Sequence, residues 1–180
     1  MKNKIINYLN NILDINIIKV QLDSCEVIEI DETELEEFES RYNLYGYKRG
    51  CYNLAIKYNG KIVLTLNVGQ SERDSNYGYE IYRLTYSEYR VIGGVKKLLL
   101  EMIQKYDIEN LVVYCDRSKF TGETYIDLGF QLISYEDVRS KFIIHKGNNV
   151  VIIEKEDEVK EYERYFEVYD CGGIKYGWKK

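Results

Sequence analysis

Apolar residues recur along the chain with two different periods, and the switches between them mark out the elements. Ile5, Ile6, Leu9, Ile12, Leu13 and Ile17 fall at three- and four-residue intervals, which predicts an amphipathic helix within residues 1–20. CEVIEI (25–30) alternates polar and apolar positions as a half-buried strand does. Asp31 followed by Glu34 forms a capping box, so a helix is expected from about Glu32 to Tyr42. Residues 51–69 read as two strands joined at Asn59-Gly60, a pair that tolerates the positive φ angles of a tight hairpin turn. YEIYRLTYS (79–87) adds a third strand. Beyond Gly93-Gly94, Val95, Leu98, Leu99, Met102 and Tyr106 return to helical spacing. NLVVYCD (110–116) is a short apolar strand, and FTGETYIDLG (120–129) a short helix stopped by Gly129.

FQLISYE (130–136) and KFIIHKGNNVVII (141–153) read as strands, the latter two paired through Gly147-Asn148-Asn149. EKEDEVKEYERYF (154–166) reads as a charged helix with a thin apolar side, followed by an extended tail. Strand, helix and strand between Tyr79 and Asp116 imply a crossover joining parallel strands. The expectation is an α/β fold on a mixed sheet, antiparallel at the start and parallel in the middle. The expected organisation is an N-terminal helix over 1–24, a main domain over 25–153, and an acidic helix and tail over 154–180 packed on it.

Composition adds limits. The 180 residues suit one domain with small appendages, and no apolar run approaches the roughly 18 residues of a membrane span. The N-terminus has no small-residue cleavage site, so a cytoplasmic protein is expected. Cys25, Cys51, Cys115 and Cys171 are widely spaced and His145 is the single histidine; no metal site is expected. The net charge of −5 is uneven. Residues 23–39 carry nine acidic and no basic residues, and residues 154–170 carry a net −5, so the remainder sums to +9. A basic body of that kind suits a phosphate-bearing cofactor or a polyanion, with Lys48, Arg49, Arg73, Arg117 and Lys119 as nucleic-acid contacts.

Candidate chemistry gathers at the carboxyl ends of the parallel strands, where α/β sheets place ligands. Asp116 and Arg117 follow a strand directly, as a site or as an ion pair that fixes the loop. Glu80 and Arg83 lie three apart on a strand, so on a regular strand they point to opposite faces; Glu80 is the candidate general base. His145 reads more readily as a packing or surface residue than as a catalyst.

Arg90-Val-Ile-Gly93-Gly94-Val95 resembles the R/Q-x-x-G-x-G/A turn of the GNAT superfamily of acyl-CoA-dependent N-acyltransferases, departing from it at Val95. Tyr125-Ile-Asp-Leu-Gly129-Phe130 resembles the family's Y-x-x-x-G-F ending. The resemblance implies a GNAT-like fold and binding of acetyl-CoA or another acyl-CoA by Arg90, Gly93, Gly94, Val95 and Lys96. It also implies Tyr125 as the general acid that protonates the departing thiolate. Over roughly residues 25–175 the chain is similar to the GNAT-like domain of phage homing-endonuclease-like proteins, related to the Mom-type DNA-modification proteins. The pieces that carry this are NLYGY, NLAIKYNGKIV, YEIYRL, YCDRSKFTGETYIDLGF and the tail FEVYDCGG. Within these pieces Asp116 is the candidate catalytic group and Tyr114, Arg117 and Asn43 are candidate substrate contacts, Asn43 standing where that domain has a histidine. The endonuclease portion is not matched.

Three functions follow as expectations. One is an N-acyltransferase, with a nucleobase amine as a possible acceptor. The second is an inactive GNAT-like module that uses its acidic segments to inhibit a basic host protein. The third is nucleic-acid binding alone. No membrane partner is expected, and the oligomeric state is left open.

Overall fold

The computed structural model describes residues 2–146, 149–153 and 164–180, and these form two compact units. Residues 154–163 of the charged helix expected over 154–166 lie outside the described residues, as do the turn residues Gly147 and Asn148 and the side chain of His145, while Phe166 at its expected end belongs to a strand.

The first unit comprises residues 1–113 and 178–180. It opens with α1 (Lys2–Leu13) and β1 (Ile18–Gln21). The first helix is shorter than expected because Asp14 and Asn16 adopt positive φ (51° and 53°), a conformation their short polar side chains tolerate but a helix does not. β2 (Cys25–Glu29) leads into α2 (Glu32–Tyr42), whose first turn is capped by the Asp31 carboxylate accepting from the N–H groups of Thr33 and Glu34. β3 (Tyr52–Tyr58), β4 (Lys61–Gln70) and β5 (Tyr79–Tyr86) form the antiparallel meander. Its first turn has Asn59 at φ 49° and Gly60 at φ 74°, as the sequence required. β6 (Tyr89–Ile92) leaves the main sheet and pairs in parallel with β1. Then follow α3 (Gly94–Lys105) and β7 (Asn110–Asp116), which runs on into the second unit. The strand order within the first unit is β2-β3-β4-β5-β7, with β5 and β7 parallel.

The sheet has two unlike faces. Leu54, Ile56, Leu64, Leu66, Val68 and Ile81 point to one, and Leu98, Leu99 and Met102 of α3 are buried with them. Ala55, Thr65, Asn67, Glu80 and Thr85 belong to the other, beneath Leu35 and Glu39 of α2. Here the sequence expectation for Glu80 and Arg83 fails. Their pairing skips from Val68–Ile81 to Asn67–Arg83, leaving Tyr82 as an extra residue in a β-bulge. The bulge resets the alternation. Glu80 opposite Gly69 and Arg83 opposite Asn67 therefore share the α2 face.

The second unit, residues 114–177, holds the short helix α4 (Glu123–Asp127) and two sets of strands. β8 (Gln131–Glu136) pairs antiparallel with β12 (Gly173–Lys179). β9 (Ser140–Lys146) lies between β10 (Asn149–Ile153) and β11 (Phe166–Tyr169), both antiparallel to it. Phe130, Phe142, Ile144, Ile174, Tyr176 and Cys115 are buried. All four cysteines are free, and burial pushes the Cys115 thiol up to about 12.

Candidate functional site

The glycine turn is built from two different requirements. Gly93 is the N-cap of α3 at φ 76°, and a Cβ placed there would meet nothing within 4 Å. Its glycine serves the backbone angle, and the space above it is open. Gly94 is the reverse case. A Cβ there would lie 2.9 Å from Val91 Cβ and 3.1 Å from both Ile56 and Leu64, so its glycine lets the helix sit close on the sheet. Lys97 N–H donates to the Gly93 carbonyl at 3.0 Å, the first bond of the helix, while the preceding N–H groups of the first turn have no partner within the helix. Val95 is half-buried in that turn and Lys96 is exposed. Arg90 does not join them. Its guanidinium donates to the Asn11 carbonyl (2.6 Å) and to Asp14 (2.8 Å), which fixes α1 to the body.

In the same unit the sheet parts. β5 pairs with β7 only at Tyr79–Leu111 and Glu80–Val112 among the described residues, which leaves the rest of that edge of β5 without a strand partner there.

On the α2 face a polar network is enclosed. Glu39 is fully buried; its carboxylate accepts from Asn67 Nδ2 at 3.2 and 3.3 Å and from the Lys48 N–H at 3.4 Å. Burial outweighs these bonds and the nearby Arg83, and it raises the carboxyl to about 7. Asn43 donates to Thr85 Oγ1 (2.9 Å), and its own Oδ1 accepts from the Tyr45 N–H (3.0 Å). Arg83 donates to the carbonyls of Gly46 (2.9 Å) and Tyr82 (2.7 Å). Glu80, 2% exposed, has Oε1 paired with Arg73 and Oε2 buried without a hydrogen-bond partner.

Glu39 was missed from sequence, although a signal was there. Leu35, Phe38, Glu39 and Tyr42 are spaced i, i+3, i+4, i+7, so a carboxylate sits on the buried stripe of α2.

In the second unit several motif residues hold turns and packing. Asp116 is committed to its loop, accepting from the N–H and hydroxyl of Ser118 and from Lys119. Arg117 is exposed and lies 5.2 Å from the ring centroid of Tyr135. Tyr114 is half-buried on β7. Gly122 (φ 79°) makes room for Tyr176, whose ring would lie 2.3 Å from a Cβ there and whose hydroxyl donates to the Thr121 carbonyl at 3.0 Å. Gly129 (φ 90°) turns the chain so that the Phe130 N–H reaches the Tyr125 carbonyl at 2.9 Å. Tyr125 itself is half-buried, 5.6 Å from Phe130 and 6.4 Å from Tyr176 between ring centroids. The tail motif acts likewise: Asp170 accepts from the N–H groups of Gly172 (2.8 Å) and Arg139 (2.9 Å).

The residues expected to meet nucleic acid are mostly neutralised. Lys48 pairs with Glu72 and Arg49 with Glu32, Arg73 with Glu80, and Lys119 with Asp116.

No family model matches the chain, and no curated protein matches it in sequence. Solved structures do match it in shape. A protein assigned as a streptothricin acetyltransferase from Bacillus anthracis, in complex with acetyl coenzyme A, superposes with a TM-score of 0.55 at 11% identity. That match spans 87% of this chain and 100% of the other. The chain has a GNAT-type fold. The ribosomal-protein-S18-alanine N-acetyltransferase of Escherichia coli gives a TM-score of 0.53 at 14% identity, over 86% of this chain and 93% of that one. A GNAT family acetyltransferase from Elizabethkingia anophelis with acetyl-CoA bound gives 0.51 at 16%, over 88% and 99%. At these identities the likeness is one of fold. Within the GNAT-type fold of this chain, the open glycine turn and the parting of β5 from β7 occur in the same unit.

Proposed function

We propose that the protein is an acyl-CoA-dependent N-acyltransferase. The observation that carries this is the open approach to Gly93 at the N-terminus of α3, in a fold shared with acetyltransferases crystallised with acetyl-CoA. A phosphate fits such a place. The first-turn N–H groups of Gly94, Val95 and Lys96 would hold a pyrophosphate, helped by the positive end of the helix and the Lys96 ammonium. The edge of β5 left without a strand partner would take an extended ligand arm by main-chain hydrogen bonds.

When bound, acyl-CoA supplies an activated thioester. The chain has then to position an amine, accept its proton and return one to the thiolate. Glu80 is the residue suited to accept. Arg73 holds Oε1 and so fixes the carboxylate, while Oε2 is buried and still lacks a donor, which an acceptor amine would provide. Tyr125 is the proposed donor to the thiolate, on its resemblance to the family's tyrosine. Asp116 as a catalytic group and Asn43, Tyr114 and Arg117 as substrate contacts rest on the resemblance alone. The resemblance to Mom-type and phage GNAT-like domains makes a nucleobase amine the first acceptor to try, followed by peptide N-termini and polyamines.

Glu80→Gln tests the assignment. With a working acceptor, kcat should fall about 10²-fold or more, while acetyl-CoA affinity stays as in wild type. An unchanged kcat removes Glu80 from the mechanism. A second reading, an inactive binding module, is favoured by Arg90, which is spent on α1 rather than on the turn. It predicts no acyl-CoA binding and capture of a protein partner without a mass change on that partner.

A further inference from the structure

The first helix is docked the wrong way round for a monomer. At about 100° per residue, Ile5, Ile6, Leu9, Ile12 and Leu13 fall within an arc of about 120°. An amphipathic helix normally turns such a stripe inward. Here the stripe faces solvent, with these side chains 44–59% exposed, and α1 contains no buried residue. The polar side faces the body. Asn7 Nδ2 donates to the Tyr86 carbonyl at 2.9 Å, and Asn11 Nδ2 donates to the Ser87 carbonyl at 3.3 Å. Arg90 holds the C-terminal end through the Asn11 carbonyl and Asp14. These bonds fix the rotation of the helix, so it cannot roll its apolar side under cover without breaking them.

We propose that the outer face of α1 is the interface of a two-fold symmetric homodimer. The area argues for this. With Ile15 (48% exposed), the stripe offers roughly 500 Å² of aliphatic surface, about the apolar share of the ~800 Å² that each partner contributes to a standard interface. The chemistry argues for a second copy over other partners. Apart from Lys2 at its first residue the stripe is aliphatic and so complementary to itself, and two α1 helices crossing at a two-fold axis pack Ile and Leu ridges into one another's grooves. A helix that lies on a membrane carries a strongly basic polar face and a row of aromatic anchors, whereas α1 has Lys2, Lys4 and a single Tyr8, and its polar face is mostly asparagine bonded to the protein. The inference is independent of the acyltransferase reading.

Sedimentation equilibrium of the full chain from about 1 to about 100 µM tests it. Wild type is expected to dimerise. The Leu9→Lys/Ile12→Lys variant, with unchanged circular dichroism, is expected to dissociate with a constant raised roughly 100-fold or more, because each copy would bury unpaired charge. If that variant does not fold, Ile6→Lys, which changes one exposed residue, takes its place and carries the same expectation. Ile152→Lys on the exposed side of β10 should leave the dimer intact. A wild type that stays monomeric overturns the proposal, as does a folded α1 variant that still dimerises. Loss of the dimer in Ile152→Lys, or binding of monomeric wild type to phosphatidylserine vesicles, overturns it as well.

Discussion

At the scale of single residues, Glu39 carries the clearest consequence. Its carboxyl is raised from 4.5 to about 7, chiefly by burial, so the folded state binds a proton that the unfolded chain releases between those values. Its contribution to stability is therefore complete below about pH 4.5 and is lost as pH rises through about 7. The full difference is on the order of 3 kcal/mol, at 1.36 kcal/mol per pKa unit. Glu39→Gln removes the titration. Thermal melts should show wild type losing Tm between pH 5 and pH 8 and the variant losing much less. Equal pH slopes would show that Glu39 does not titrate in this range. The two adjacent glycines make a second contrast. Gly94→Ala forces a Cβ to 2.9 Å from Val91 and should lower stability by about 1–3 kcal/mol in denaturant melts, as overpacking does. A cost below about 0.5 kcal/mol, the range of an ordinary surface change, would mean the sheet yields there.

At the scale of elements, the bulge in β5 decides which side chains can act together. It brings Glu80 and Arg83 to one face, and it lays the Tyr82 ring over Gly69, where a Cβ would sit 2.1 Å from the ring. Tyr82 is held from both sides. Its hydroxyl donates to the Gln70 carbonyl at 2.7 Å, and Lys48 Nζ lies 3.5 Å from its centroid. Gly69→Ala should cost about 1–3 kcal/mol, and much less in a Tyr82→Ala background. A double-mutant cycle with additive costs would contradict that close contact. None of this was visible in the alternation of YEIYRLTYS, because a bulge adds a residue without changing the composition of the strand. The hairpin at Asn59-Gly60 and the ends of α2 were legible, since each depends on residues adjacent in sequence: a turn pair and the Asp31 cap. The direction in which α1 faces was not. Its spacing fixes the stripe, but which side meets the body depends on Asn7, Asn11 and Arg90 finding carbonyls and a carboxylate elsewhere.

At the scale of the whole molecule, the GNAT-type fold was legible because its signals are local and ordered: a meander, a glycine turn into a helix, and a parallel strand. The candidate site was legible only in part. Gly93 and Gly94 stand out by type, and Glu80, the proposed base, is buried with one oxygen still lacking a partner. The motif from Tyr114 to Phe130 was read as a sign of chemistry and the Asp170-x-Gly172 tail as part of the resemblance. They also have structural work, since Gly122, Asp116 and Asp170 each close a turn. A residue that must be glycine for packing and one that must be glycine for a phosphate look alike in a sequence. Isothermal titration of the full chain with acetyl-CoA separates them at the turn. Wild type is expected to bind in the micromolar range, and binding is expected to weaken about tenfold or more when Gly93→Ala puts a methyl group into the open approach, a loss of about 1.4 kcal/mol. Absence of binding at about 1 mM cofactor, or equal affinity in a folded Gly93→Ala variant, would contradict it.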